Sequence, residues 1–69
     1  MDGAGFVRKM RRLARERDVE FSWEPRRGKG SHGRLLLDKR FTTVKHGEIG
    51  PGLLADMLKQ LGLTRDDLA

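Results

Sequence analysis

The stretch Gly28-Lys29-Gly30-Ser31-His32-Gly33 gathers the residue types best suited to chemistry in this chain. Three glycines in six positions let the backbone turn sharply and approach a ligand closely, because no Cβ restricts φ. An ammonium, a hydroxyl and an imidazole sit in that frame, and Arg26 and Arg27 lead into it. Imidazole is the one side chain that ordinarily titrates near neutrality, so it can take or give a proton at physiological pH. Backbone N–H groups and cations in a glycine-framed loop suit a phosphate. Together these residues describe a site that binds a polyanion and has the means to cleave it. They equally fit a plain β-hairpin loop with a solvated histidine.

Charge points to the same region. Residues 1–34 carry ten Lys or Arg against five acids, whereas residues 35–69 carry five of each, so the net charge of +5 lies wholly in the first half. Such asymmetry favours nucleic acid or an acidic partner. Sixty-nine residues make one small domain, 1–69, near the lower size at which a core sustains itself. The chain has no Cys and only two His, which argues against a disulfide framework and a structural metal and calls for no cofactor. No apolar run approaches the roughly 20 residues of a membrane span, and the start lacks the basic and apolar regions of a signal peptide. A cytoplasmic protein is the expectation.

The elements that position the loop follow from periodicity. Phe6, Met10 and Leu13, with Val7 and Ala14, form one apolar stripe and predict a helix over 4–17. Arg8, Arg12 and Arg15 share another face with Arg11 beside it, a solvated face or a contact for an anionic partner. Val19, Phe21 and Trp23 alternate with polar residues, predicting a half-buried strand that Pro25 ends. In that phase Trp23 belongs to the core, with stacking on a base as the alternative. Arg34-Leu35-Leu36-Leu37 and Phe41–Lys45 read as two further strands, with 38–40 as the turn. Pro51 opens a second helix whose stripe is Leu53, Leu54, Met57, Leu58 and Leu61, closed by Gly62. Thr64 with Asp67 forms a capping box for a last turn over 65–69. The expected fold is α+β, in the order α-β-β-β-α, with a three-stranded antiparallel sheet carrying both helices on one face.

This order, with Gly30-Ser31-His32 between the first two strands, a His-Gly pair after the third, Pro51-Gly52 and the segment Leu54-x-x-Met57-Leu58-Lys59-Gln60-Leu61-Gly62-Leu63, resembles the HicA family of toxins over about residues 6–68. The resemblance implies a double-stranded-RNA-binding-domain-like fold and an mRNA interferase activity. It also implies an essential histidine at His32 and inhibition by a HicB-type antitoxin encoded alongside. The chain departs from the family in two places. Asp18 and Val19 fill a helix–strand junction that commonly holds glycine, and Val44 stands where a proline is frequent.

Ribonuclease action needs no external nucleophile, because the ribose 2′-OH can attack the adjacent phosphorus. His32 is then the candidate acid or base. Lys29, Gly30, Ser31 and Arg27 are candidates for holding the phosphate, Ser31 alternatively orienting the imidazole or capping a turn. His46 and Arg34 are secondary candidates. A three-residue loop at 38–40 would pair Leu35 with Thr43 and set His46 directly across from His32. A two-residue turn that pairs Leu35 with Val44 would put the two histidines on opposite faces. The expected partners are mRNA and the antitoxin, with a monomeric free toxin. A non-catalytic RNA-binding module and an inactive protein that sequesters an antitoxin are the rival readings. The antitoxin is expected to cover the basic helix and the loop at 26–34, silencing His32 by occlusion.

Overall fold

A computed structural model of the chain describes residues 1–26 and 32–68. Helix α1 spans Gly3–Arg17, strands β1, β2 and β3 span Phe21–Glu24, His32–Leu37 and Arg40–Lys45, helix α2 spans Pro51–Gln60, and a 3₁₀ turn, η1, spans Arg65–Leu68. The strands form one antiparallel sheet in the order β1-β2-β3. The expected α-β-β-β-α arrangement is the observed one.

Both helices pack on one face of the sheet, although of the stripe expected on α2 Leu53 is exposed and Leu54 only half-buried. Phe6, Val7, Met10, Leu13 and Ala14 of α1, and Met57, Leu58 and Leu61 from α2 and its C-terminus, are buried against Leu35, Leu37 and Val44. Phe21 and Trp23 pack against this core half-buried. Thr42 also points inward, and its hydroxyl is satisfied by donating to Gln60 Oε1.

Local chemistry explains where the elements start and stop. Asp2 caps α1, accepting from the Gly5 N–H at 2.7 Å. At the other end Asp18 adopts φ 55° and ψ 49°, the left-handed conformation that glycine takes without cost and Asp tolerates better than most. Asp18 therefore fills a position whose backbone conformation would suit glycine. Val19 stays outside β1, its N–H donating to Ala14 O at 3.0 Å, although its side chain still packs on the core. Asp18→Gly should relieve the backbone and remove a negative charge from a helix C-terminus, raising stability by about 0.5–1 kcal/mol. Thermal unfolding would register that as a Tm higher by roughly 2–8 °C in a domain of this size.

Helix α2 ends as its sequence predicts. Gly62 takes φ 73°, its N–H donates to Lys59 O, and the Leu63 N–H reaches back to Leu58 O, the two bonds of a Schellman motif. Of the expected Thr64–Asp67 capping box, the bond from the Thr64 N–H to the Asp67 side chain is formed, whereas the Thr64 hydroxyl donates to that carboxylate at 3.3 Å instead of accepting from the Asp67 N–H. The Asp67 carboxylate accepts from the Thr64 N–H at 2.8 Å and from the Arg17 guanidinium, which ties the C-terminal turn to the end of α1. These bonds, the Thr64 N–H first and Arg17 second, hold the Asp67 carboxyl below the usual carboxylate range. A depressed folded pKa stabilises the fold above the ordinary carboxylate pKa, and that contribution is lost as acid protonates the folded group. The stability gap between the parent and Asp67→Asn should therefore narrow as pH falls through the acid range, which denaturation at a series of pH values would measure.

The β2–β3 hairpin differs from both expected registers. The turn is two residues, Asp38 and Lys39, both at positive φ (50° and 71°), so Leu37 pairs with Arg40 and Leu35 with Thr42. Two left-handed residues make the turn whose twist matches the flanking strands. Arg40 consequently belongs to β3 rather than to the turn, and β2 begins at His32 rather than at Arg34.

Candidate functional site

His32 is the first residue of β2, exposed, and paired with Lys45 at the end of β3. Along β2 the buried positions are Gly33, Leu35 and Leu37. Pleating therefore puts His32, with Arg34 and Leu36, on the face away from the helices. Lys45, directly opposite, projects to the same face. The imidazole thus has an ammonium as its cross-strand neighbour at the open end of the sheet. Two residues along, the Arg34 guanidinium carbon lies 4.0 Å from the centroid of the Phe41 ring, a cation–π contact that holds Arg34 over the sheet. Phe41 itself is 52% exposed on this face.

Gly33 has a steric role that its place in a glycine-rich run does not announce. It lies in a strand, not in a flexible loop, and a Cβ there would come within 2.3 Å of the Trp23 ring and 2.8 Å of the Glu24 carbonyl oxygen. The indole occupies the space that a side chain at 33 would need. Trp23 therefore packs inward, and its ring abuts the residue next to His32.

His46 does not join His32. The strand ends at Lys45, and His46 lies one residue beyond it, at the helix side of the sheet. There it lines a groove of about 270 Å³ with Val7, Arg8 and Arg11 of α1 and with Trp23 and Pro25. The arrangement in which the histidines face each other directly is overturned by the position of the turn. The segment carrying His46 is pinned to the start of the chain: the Gly3 N–H donates to Gly47 O at 2.9 Å, and the Ile49 N–H donates to Met1 O at 2.8 Å. Helix α1 comes so close to β3 that a Cβ on Gly3 would sit 2.3 Å from the Lys45 carbonyl oxygen.

Of the remaining candidates, Arg27, Lys29, Gly30 and Ser31 lie outside the described residues. Arg34 is on the open face with His32. Arg8, Arg12 and Arg15 are all exposed on α1, with Arg12 pairing loosely with Glu16 at 3.9 Å and Arg8 standing between the groove beside Arg11 and the surface of Gly5, Lys9 and Arg12. Among the described residues no three His, Cys, Asp or Glu side chains gather as metal ligands would, and no helix is long and apolar enough to cross a membrane. Sequence reasoning missed Lys45 as a neighbour of His32, since only the hairpin register brings the two together. It also missed the grouping of Arg11 with Trp23 and His46, which depends on how α1 lies over the sheet.

Chemically, the end of the sheet offers an accessible proton-transfer group beside a cation on one face, and a cationic groove with apolar walls on the other. Comparison with curated proteins and with solved structures returned no match. The family model for the HicA toxin of bacterial toxin–antitoxin systems, however, matches residues 19–63, from the junction after α1 to the residue beyond the glycine that closes α2. That span takes in the whole sheet, His32 and the second helix, and the chain belongs to the HicA toxin family, whose members act opposite an antitoxin.

Proposed function

We propose that this toxin is an endoribonuclease that cleaves mRNA, with His32 as its catalytic acid or base. In the reaction the ribose 2′-oxygen bonds to the adjacent phosphorus and loses its proton to a base. The bond from phosphorus to the 5′-oxygen breaks, and the departing oxygen takes up a proton. The products are a 2′,3′-cyclic phosphate and a 5′-hydroxyl. An imidazole can serve either proton transfer. Cations beside it offset the charge that builds on the phosphoryl oxygens. Lys45 is available for that role on the face of His32, and Lys29 with the backbone of the glycine loop would complete it.

The observation that carries this reading is the setting of His32: exposed, opposite Lys45, and at the open end of the sheet in a member of a toxin family. Its test uses the substrate's own nucleophile. An RNA oligonucleotide should be cut, and the same sequence with 2′-deoxyribose at the cleaved position should be bound but left intact. Equal cutting of both would overturn the mechanism. A non-catalytic RNA-binding module would bind both and cut neither.

The partner of this reading is a HicB-type antitoxin. A standard interface buries about 800 Å² on each side, and an acidic surface docking on the basic half of so small a domain would cover His32. RNA and antitoxin should then compete for the toxin.

A further inference from the structure

The groove between α1 and the end of β3 is not used by the chemistry at His32, and its lining is specific. Arg8 and Arg11 of α1 line it with His46, Lys45 borders it at the end of β3, and Val7, Trp23 and Pro25 supply an apolar wall. None of the described residues lining it is acidic. Arg8 makes no ion pair among the described residues, and Arg11 lies over the Phe21 ring, 5.4 Å from its centroid. The volume, about 270 Å³, lies just under the range of roughly 300–1,000 Å³ typical of small-molecule sites. That is the scale of a subsite for one small group such as a single nucleotide. Cations alongside an aromatic wall are the combination by which proteins hold single-stranded nucleic acid, the cations taking phosphate and the ring taking a base.

Its location links it to the reaction. The Trp23 ring that forms one wall abuts Gly33, the neighbour of His32, and the opposite rim is the chain at Lys45 and His46. The groove and His32 therefore occupy the two faces of one strand end. We propose, on the ribonuclease reading above, that the groove binds one nucleotide of single-stranded RNA flanking the cleaved linkage, its phosphate held by Arg8 and Arg11. The strand crosses the end of the sheet between this pocket and His32. His46 thus contributes to holding substrate and takes no part in proton transfer.

The test uses the His32→Ala protein, so that binding is read without cleavage, and a fluorescein-labelled single-stranded oligouridylate as the probe. Adding Arg8→Gln and Arg11→Gln should weaken binding and lower the log–log salt slope by about 1.4, roughly 0.7 for each phosphate charge left without its arginine. A second variant leaves charge untouched: Ala4 lines the groove and is exposed, so Ala4→Leu should fill the pocket and weaken binding at unchanged salt slope. Unchanged affinity in both variants, with native circular dichroism, would overturn the groove site while leaving the ribonuclease reading in place. If these variants lose only a competing acidic peptide and keep RNA, the groove belongs to a protein partner and the proposal fails. No RNA binding by the His32→Ala parent would remove the proposal together with the reading it rests on.

Discussion

Replacing His32 with Ala should lower the RNA cleavage rate by about 10²–10⁴-fold, the usual contribution of one positioned proton-transfer group, while affinity for RNA stays within a few-fold. The two effects separate because the side chain is exposed and contributes nothing to the core. Binding of a polyanion rests instead on the surrounding cations. The thermal unfolding midpoint of the variant should match the parent's, so a lost activity cannot be assigned to a lost fold. Gel analysis of a labelled transcript under single-turnover conditions measures the rate, and fluorescence anisotropy measures the binding. Parental cleavage by the His32→Ala protein would exclude His32 from the chemistry.

Gly33→Ala should instead act through the fold. The added carbon collides with the Trp23 ring and with the Glu24 carbonyl oxygen. The ring can give way, whereas the backbone of β1 can move only by opening the β1–β2 ladder. Overpacking of this kind costs about 1–3 kcal/mol. A chain of this length has only roughly 3–10 kcal/mol of total stability, at 0.05–0.15 kcal/mol per residue. Denaturant unfolding should therefore show a clear loss, and cleavage should fall with it because His32 is carried by the displaced strand. Trp23→Leu combined with Gly33→Ala should lose less than the two single costs added together, since the first change vacates the space that the second one fills. Strict additivity of the pair would show that the ring is not what forbids a side chain at position 33.

What could be read from the residues follows the range of the physics involved. The apolar stripe from Phe6 to Ala14 is buried residue for residue, and the signals Pro51, Gly62 and Thr64–Asp67 act where they stand, because helix amphipathicity and capping are properties of neighbouring residues. The Asp2 cap was missed for want of an apolar residue beside it. The hairpin register was not legible. Asp38-Lys39 contains no glycine, yet both residues take positive φ, and the leucines on β2 offer no distinct mark for one alignment over its neighbours. That single uncertainty decided which residue faces His32, so Lys45 went unseen and His46 stayed open. Gly33 was legible as a glycine but not as a vacancy for an indole, since an absent side chain reveals its reason only when its neighbour is in place. His32 stands out in the sequence by its type, its glycine setting and the Gly30-Ser31-His32 resemblance, and its role is what the cleavage experiments test.

The most direct test of His32-dependent RNA cleavage is the chemistry of the ends it leaves. Purified toxin incubated with RNA in EDTA should generate fragments bearing 2′,3′-cyclic phosphate and 5′-hydroxyl termini, and the His32→Ala protein should generate none. Fragments ending in 3′-hydroxyl and 5′-phosphate, or intact RNA after prolonged incubation with folded parental toxin, would contradict it.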